Sequence, residues 1–314
     1  MHLDFEKPVA DIEARLAELK AGTAAPAGDV AAEIARLEGQ RQAVLRELYA
    51  DLTPWQCVQV ARHPERPLLR DYIAGLCSEF TELHGDRCFA DDQGIIGGFA
   101  TLEKFRIMLI GHQKGRAVEE NIRCNFGMAR PEGYRKALRL MRLAEKFRLP
   151  VVTFIDTPGA YPGADAEERG QAEAIARNLL EMATLRTPIL TVVTGEGGSG
   201  GAIGIGVGDV ILMLAHAVYS VISPEGCASI LWRDGSQAPA AANALKLTAQ
   251  SLYELKVIDE IIPEPIGGAH RDPASTIAAV RRALLKHLDR LTRTKLKKLL
   301  SRRYEKYAAM GRLR

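Results

Sequence analysis

The chain has 314 residues, 47% hydrophobic and 26% charged, which suits one large globular domain or two modest ones and excludes a peptide-sized, fibrous or disordered chain. Its net charge of +3 conceals an asymmetry: Lys286 to Arg314 carries 11 Lys/Arg against Asp289 and Glu305, a net of +9, and the preceding 285 residues carry −6. A basic tail of this kind suits nucleic acid, a membrane surface, an acidic partner or a plain solvated amphipathic helix.

Five cysteines (Cys57, Cys77, Cys88, Cys124 and Cys227) form no C-x-x-C pair and no secretory leader precedes them. The expectation is a reducing, cytoplasmic setting with no metal site on this chain. The longest apolar run, Val210 to Ile222, is interrupted by His216 and falls short of the roughly 20 residues a membrane span requires, so no membrane helix is expected.

In chain order, apolar residues recur at helical spacing from Val9 to Leu19 and from Val30 to Leu48, separated by Ala21-Gly-Thr-Ala-Ala-Pro-Ala-Gly28. They predict a helical hairpin with too little surface to bury itself, which must pack on the main body or another subunit. Past the proline-punctuated Pro54 to Pro67, a short helix is predicted over Tyr72 to Phe80. Ile95–Ala100 and Ile107–Ile110 read as adjacent strands. Pro131 opens a helix with Tyr134, Ala137, Leu138, Met141 and Ala144 on one face. Ten Lys/Arg against four Glu between Lys114 and Arg148 suit either an anionic substrate or solvent. Then come a strand (Val151–Ile155), a Pro/Gly loop, a helix (Ala172 to Ala183), a strand (Ile189–Val193), a glycine-rich turn, strands at Val210–Leu214 and Ser220–Ser223, and a helix from Ala238 to Leu255. Alternating strands and helices indicate an α/β domain with buried parallel pairing.

The densest chemical signal is Thr194-Gly-Glu-Gly-Gly-Ser-Gly-Gly-Ala202, where five of the seven residues from Gly195 to Gly201 are glycine. Such a run lets peptide N–H groups approach another molecule unshielded by Cβ. It reads either as an oxyanion cradle or as a turn that permits close packing. Gly195-x-Gly197-x-x-Gly200 with Glu225 matches the dinucleotide fingerprint, but three strands precede it, whereas that fingerprint belongs to the first βαβ unit. Gly197-x-Ser199-x-Gly201 matches a nucleophile elbow, with Asp209, Asp234 or Asp259 and then His270 in hydrolase order; a serine hydrolase using Ser199 is thus the alternative enzyme class. Asp156-Thr-Pro-Gly159 resembles a GTPase loop, but the chain has no G-x-x-x-x-G-K-[ST]. Asp156 and Thr157 to Gly163 fit better as a second rim loop at the end of a strand, or as a proline-stiffened connection.

Together these stretches resemble the carboxyltransferase alpha subunits of bacterial and plastid acetyl-CoA carboxylase. The matching segments are Ala61-Arg-His-Pro64, Ile110-Gly-His-Gln-Lys-Gly-Arg116, Asn125-Phe-Gly-Met128, Pro131 to Met141, Phe154-Ile-Asp-Thr-Pro-Gly-Ala-Tyr-Pro-Gly163, Glu167-Glu-Arg-Gly-Gln171, Gly195 to Ala202, Tyr219 to Trp232 and Ile261-Ile-Pro-Glu-Pro265. The resemblance implies a crotonase-like α/β fold of strand, strand, helix units. It divides the chain into a helical extension (1–60), a carboxyltransferase domain (61–265) and a basic helical segment (266–314). It implies transfer of a carboxyl group from carboxybiotin, carried on a biotin carboxyl carrier protein, to acetyl-CoA, giving malonyl-CoA for fatty acid synthesis. It also implies an alpha2beta2 heterotetramer with zinc on the beta subunit only and ATP used by a separate biotin carboxylase; nucleic acid and membrane are not expected as partners.

Backbone N–H groups of Gly200 and Gly201 are expected to form the oxyanion hole for the biotin ureido oxygen, with Gly197, Gly198, Gly159, Ala160 and Tyr161 near the substrate. Two stretches depart from the family pattern: Ala117-Val118-Glu119 replaces an acidic-Thr-Lys stretch, and Gln237 stands where lysine is usual.

Overall fold

The computed structural model describes residues 2–21 and 30–311. Most of the hairpin link therefore lies outside the described residues, but the helices it joins, Lys7–Lys20 and Val30–Ala50, are both present. Ile12, Leu16 and Leu19 of the first pack on Leu37 of the second. The base of the pair is tied to the rest of the chain by Arg271, which donates to Glu6 and Glu13, both at 2.8 Å, and is closed on itself by the Tyr49 hydroxyl, which donates to Glu6 Oε1 at 3.1 Å.

The body is a mixed sheet whose strands are β1 (Glu79–Glu82), β2 (Ile95–Leu102), β3 (Phe105–His112), β4 (Val151–Thr157), β5 (Ile189–Gly198), β6 (Val210–Leu214), β7 (Val218–Ser220) and β8 (Glu260–Ile262). The order is β1-β2-β3-β4-β5-β6-β8, with β7 joined to the far end of β5. β1 to β3 form an antiparallel edge, and every pairing from β3 onward is parallel. β4 and β6 are buried at every position, the continuous apolar run expected of parallel strands covered on both faces.

The helix Pro131–Phe147 starts with proline in its first turn and ends at Arg148, whose φ of 56° stops it. Its predicted face of Tyr134, Ala137, Leu138, Met141 and Ala144 is buried in the sheet-facing core. Its cations are largely spent on the protein itself: Arg135 pairs with Asp86, Lys136 with Asp91 and Arg142 with Glu181. The basic C-terminal stretch likewise turns part of its charge inward. Arg303, 1% exposed, bonds Asp209 and the carbonyls of Met182, Leu185 and Thr187, and Lys306 pairs with Asp259.

Four sequence expectations need correction, one of them the strand over Ser220–Ser223: it runs Val218–Ser220, because Ser223 instead caps the helix Pro224–Trp232. Tyr72 to Phe80 is a helix only as Leu69–Leu76, because Cys77 turns extended and Glu79–Glu82 pairs with the edge of β2. The glycine-rich turn is strand as far as Gly198, since β7 and the end of β4 pair with it on opposite sides. Ala238 to Leu255 is two helices, Ala238–Leu245 and Ala249–Glu254, separated where Lys246 takes a φ of 53° and Thr248 caps the second. Helices at Pro54–Ala61, Val118–Arg123, Ala164–Glu168 and Pro224–Trp232 went unforeseen; the first and last carry a legible start, Thr53 or Ser223 as cap followed by proline.

Candidate active site

β5 changes neighbour midway. Leu190–Val193 pair with β6, but Glu196–Gly198 pair with β7, and its register against β4 shifts between Ile155 and Thr157. The glycine motif therefore emerges at the carboxyl ends of β4 and β5, where ligands collect in parallel sheets. Beyond Gly198 the chain reverses at Ser199, with φ of 47°, into the single turn Ser199–Ile203.

Glycine is required here by contact. A Cβ on Gly201 would lie 2.5 Å from the carbonyl carbon of Gly159 and 2.8 Å from the nitrogen of Ala160, and one on Gly198 would overlap the Pro158 carbonyl. The two predicted rim loops thus lie backbone against backbone. Thr157 braces the second: its hydroxyl donates to Gly159 O at 2.7 Å and accepts from Gly159 N at 3.1 Å. Gly200 differs, since a Cβ there would meet only Ile175 Cδ1 at 3.4 Å. As early residues of the turn, Gly200 and Gly201 have N–H groups with no intrahelical acceptor.

Gly200 borders a cavity of about 600 Å³ lined mainly by apolar groups, among them Ile203, Val207, Tyr219, Val221, Tyr307 and Met310. Gly197 and Gly198 instead face a narrower cleft beside Arg62, Glu196 and Ser223. Gly159 and Ala160 back the glycine turn. Tyr161 stands apart, its N–H on Ala129 O at 3.1 Å and its ring 5.2 Å from the Arg130 guanidinium.

Charged groups unforeseen as site residues lie behind the strand. Lys114 Nζ contacts Asp156 Oδ1 at 2.7 Å and Glu196 Oε1 at 3.1 Å; Arg62 Nε reaches Glu196 Oε2 at 2.6 Å. Burial alone would lower the Lys114 pKa, but the two carboxylates outweigh it and hold the ammonium above its ordinary value. Arg66, 3% exposed, pairs with the fully buried Glu264 and donates to Thr194 O at 2.8 Å. His112 is buried with neither ring nitrogen bonded; burial, with Lys114 nearby, pushes its pKa down to about 3 despite the backbone of Gly201 and Phe154 beside it. The signals available in sequence were a single carboxylate inside a glycine run and a His-Gln-Lys following an apolar strand.

No hydrolase triad forms among the described residues. Asp209 is held by Arg303, Asp259 by Lys306, and Asp234 caps Ser236. His270 stacks on His63 with ring centroids 3.7 Å apart. The dinucleotide reading also loses its acid, because Glu225 is engaged by Arg62 at 2.5 Å.

The sequence model described as acetyl co-enzyme A carboxylase carboxyltransferase-like matches residues 2–311. The chain belongs to this carboxyltransferase family. It is 56% identical over 312 residues to the acetyl-coenzyme A carboxylase carboxyl transferase subunit alpha of Burkholderia multivorans and, to the same extent, of Burkholderia vietnamiensis, covering 99% of this chain and 97% of each relative. The carboxyltransferase fold is shared with transcarboxylase 12S (TM-score 0.60, 19% identity, 73% of this chain and 42% of that one). It is shared also with the beta subunit of Pseudomonas aeruginosa geranyl-CoA carboxylase (TM-score 0.56, 18% identity, 81% and 45%). This chain thus spans less than half of either solved neighbour, and the expected crotonase-like fold is the one observed.

Among the described residues no group of three or more His, Cys, Asp or Glu is placed to hold a metal ion, and no helix is long and apolar enough to cross a membrane.

Proposed function

We propose that this chain is the alpha half of a biotin-dependent carboxyltransferase that moves a carboxyl group from carboxybiotin to acetyl-CoA, giving malonyl-CoA. The observation that carries the reading is the turn at Gly200 and Gly201: consecutive peptide N–H groups without intrahelical acceptors, at the carboxyl ends of two parallel strands, with Gly200 at the wall of a mostly apolar cavity and Gly201 buried behind it. Among the described residues no nucleophile–base pair accompanies it.

The chemistry asks for that arrangement. When the C–N bond of carboxybiotin breaks, carbon dioxide departs and negative charge collects on the ureido oxygen. Backbone donors already aimed at that oxygen lower the barrier by roughly 3–4 kcal/mol each. The ureido nitrogen then takes a proton from the acetyl methyl group, and the resulting enolate attacks carbon dioxide. This chain's residues supply the donors at Gly200 and Gly201. Gly197, Gly198, Gly159, Ala160 and Tyr161 form the surrounding frame, and the apolar wall excludes water from the charge, which strengthens each hydrogen bond.

The enolate needs a second set of donors, which we assign to a beta subunit in an alpha2beta2 assembly. That subunit carries the zinc, a biotin carboxyl carrier protein delivers biotin, and a separate biotin carboxylase consumes ATP. Five unpaired cysteines suit a reducing cytoplasm. The segment 1–60 serves assembly, and 266–314 also completes the catalytic part 61–265, since Tyr307 and Met310 line the cavity at Gly200. Ser199→Ala tests the reading: transfer from malonyl-CoA to biotin by the complex with the beta subunit stays within threefold of wild type, whereas a serine hydrolase loses all activity.

A further inference from the structure

Between Gly195 and Gly201 only Glu196 and Ser199 have side chains, and Ser199 is exposed. A glycine strand cannot be locked by side-chain packing of its own; beyond its ladder pairing with β4 and β7, the side-chain hold on its orientation comes through Glu196. Three contacts fix that residue: its N–H donates to Asp156 Oδ1 at 3.0 Å, and its carboxylate accepts from Arg62 Nε at 2.6 Å and Lys114 Nζ at 3.1 Å; Lys114 closes the network by donating to Asp156 at 2.7 Å. Gly195 makes room for this, because a Cβ there would sit 2.7 Å from the Asp156 carboxyl carbon. Arg62 extends the chain of charges to Glu225 on the helix Pro224–Trp232. The side chains of Lys114, Asp156 and Glu196 are only 18%, 11% and 12% exposed.

Charges this sheltered are seldom the cheapest way to stabilise a fold, since apolar replacements of equal volume are often as stable. What they supply is direction: two carboxylates and two cations fix the rotation of one peptide four residues before Gly200. We propose that Lys114 is a positioning residue for the oxyanion turn, acting through Glu196 and Asp156, with Arg62 as the outer brace and without contact to substrate. The proposal rests on the carboxyltransferase reading. A misplacement of about 1 Å in donors of this kind costs about 10²-fold in rate, and because the turn acts on charge that develops during reaction, the loss falls on kcat.

The test uses the complex with the beta subunit and follows transfer from malonyl-CoA to biotin. Lys114→Met and Glu196→Gln each lower kcat about 10- to 100-fold with both KM values within threefold, Lys114→Arg recovers kcat to within fivefold, and the double variant is no worse than the poorer single one. A tenfold rise in KM at unchanged kcat makes Lys114 a substrate contact and overturns the proposal, as do variants within threefold of wild type. If Lys114→Met does not assemble, Arg62→Gln is read instead: a loss confined to kcat supports the brace and wild-type kinetics overturn it. A wild-type complex that transfers nothing overturns the functional reading and this proposal with it; an active wild type with unaffected variants overturns the network alone.

Discussion

Alanine at Gly201 separates a donor turn from a mere packing turn. The added Cβ would lie 2.5 Å from the Gly159 carbonyl carbon, 2.7 Å from its oxygen and 2.8 Å from Ala160 N. All three are backbone atoms, so no rotamer change relieves the overlap, and reaching ordinary contact near 3.5 Å requires the turn and the rim loop to part by about 1 Å. The residue is helical, and alanine favours helix there, so the damage comes from displacement alone. Losing one aligned donor costs about 10²–10³ in kcat, roughly 3–4 kcal/mol. Gly200→Ala is the matched control for the backbone: its Cβ meets only Ile175 Cδ1 at 3.4 Å, so the melting temperature stays within about 2 °C, a change under roughly 0.5 kcal/mol. Steady-state transfer from malonyl-CoA to biotin by the assembled complex, with thermal melts of each variant, provides the numbers. A Gly201→Ala enzyme within fivefold of wild type would refute the donor assignment.

Ser199 sits at φ 47°, a region costly for any residue with a Cβ; Ser199→Gly therefore raises stability by about 1 kcal/mol in urea titration and leaves transfer intact. Arg303→Met strands the Asp209 carboxylate and three buried carbonyls, and chemical denaturation should show a loss of about 3–5 kcal/mol. His112 is held near a pKa of about 3 by burial, below its ordinary 6.5, so below pH 6.5 the unfolded chain binds a proton that the folded chain refuses. Stability therefore falls as pH drops from 6.5 toward 3, with a slope from His112 approaching about 1.4 kcal/mol per pH unit. His270, also near 3 through burial and His63, adds with the same sign. Denaturation of wild type and His112→Leu between pH 6.5 and 5 measures this, and an unchanged slope in the variant contradicts it.

The central strands were legible because buried parallel strands need uninterrupted β-branched runs, and the helix after Pro131 because a period of 3.6 leaves one apolar face. The glycine motif was legible as a place of close backbone approach, because a Cβ at Gly198 or Gly201 would overlap the neighbouring backbone. β1 was not: Glu-Phe-Thr-Glu has no apolar run, and only the edge of β2 makes it a strand. The network behind the motif escaped for a different reason. Arg62 lies 134 residues from Glu196 and 163 from Glu225, and Lys114 lies 82 from Glu196; nothing local in any of these stretches marks its partner. The broken helix at Lys246 turns on one positive φ in a lysine, a residue type that does not announce it.

Transfer of labelled carboxyl from malonyl-CoA to biotin, by this chain alone, by the beta subunit alone and by the two together, tests the central claim most directly. The account predicts label in biotin only for the mixture, with Gly201→Ala in this chain reducing it about 10²–10³-fold. Label transferred by the beta subunit unaided, or by the mixture regardless of residue 201, would contradict it.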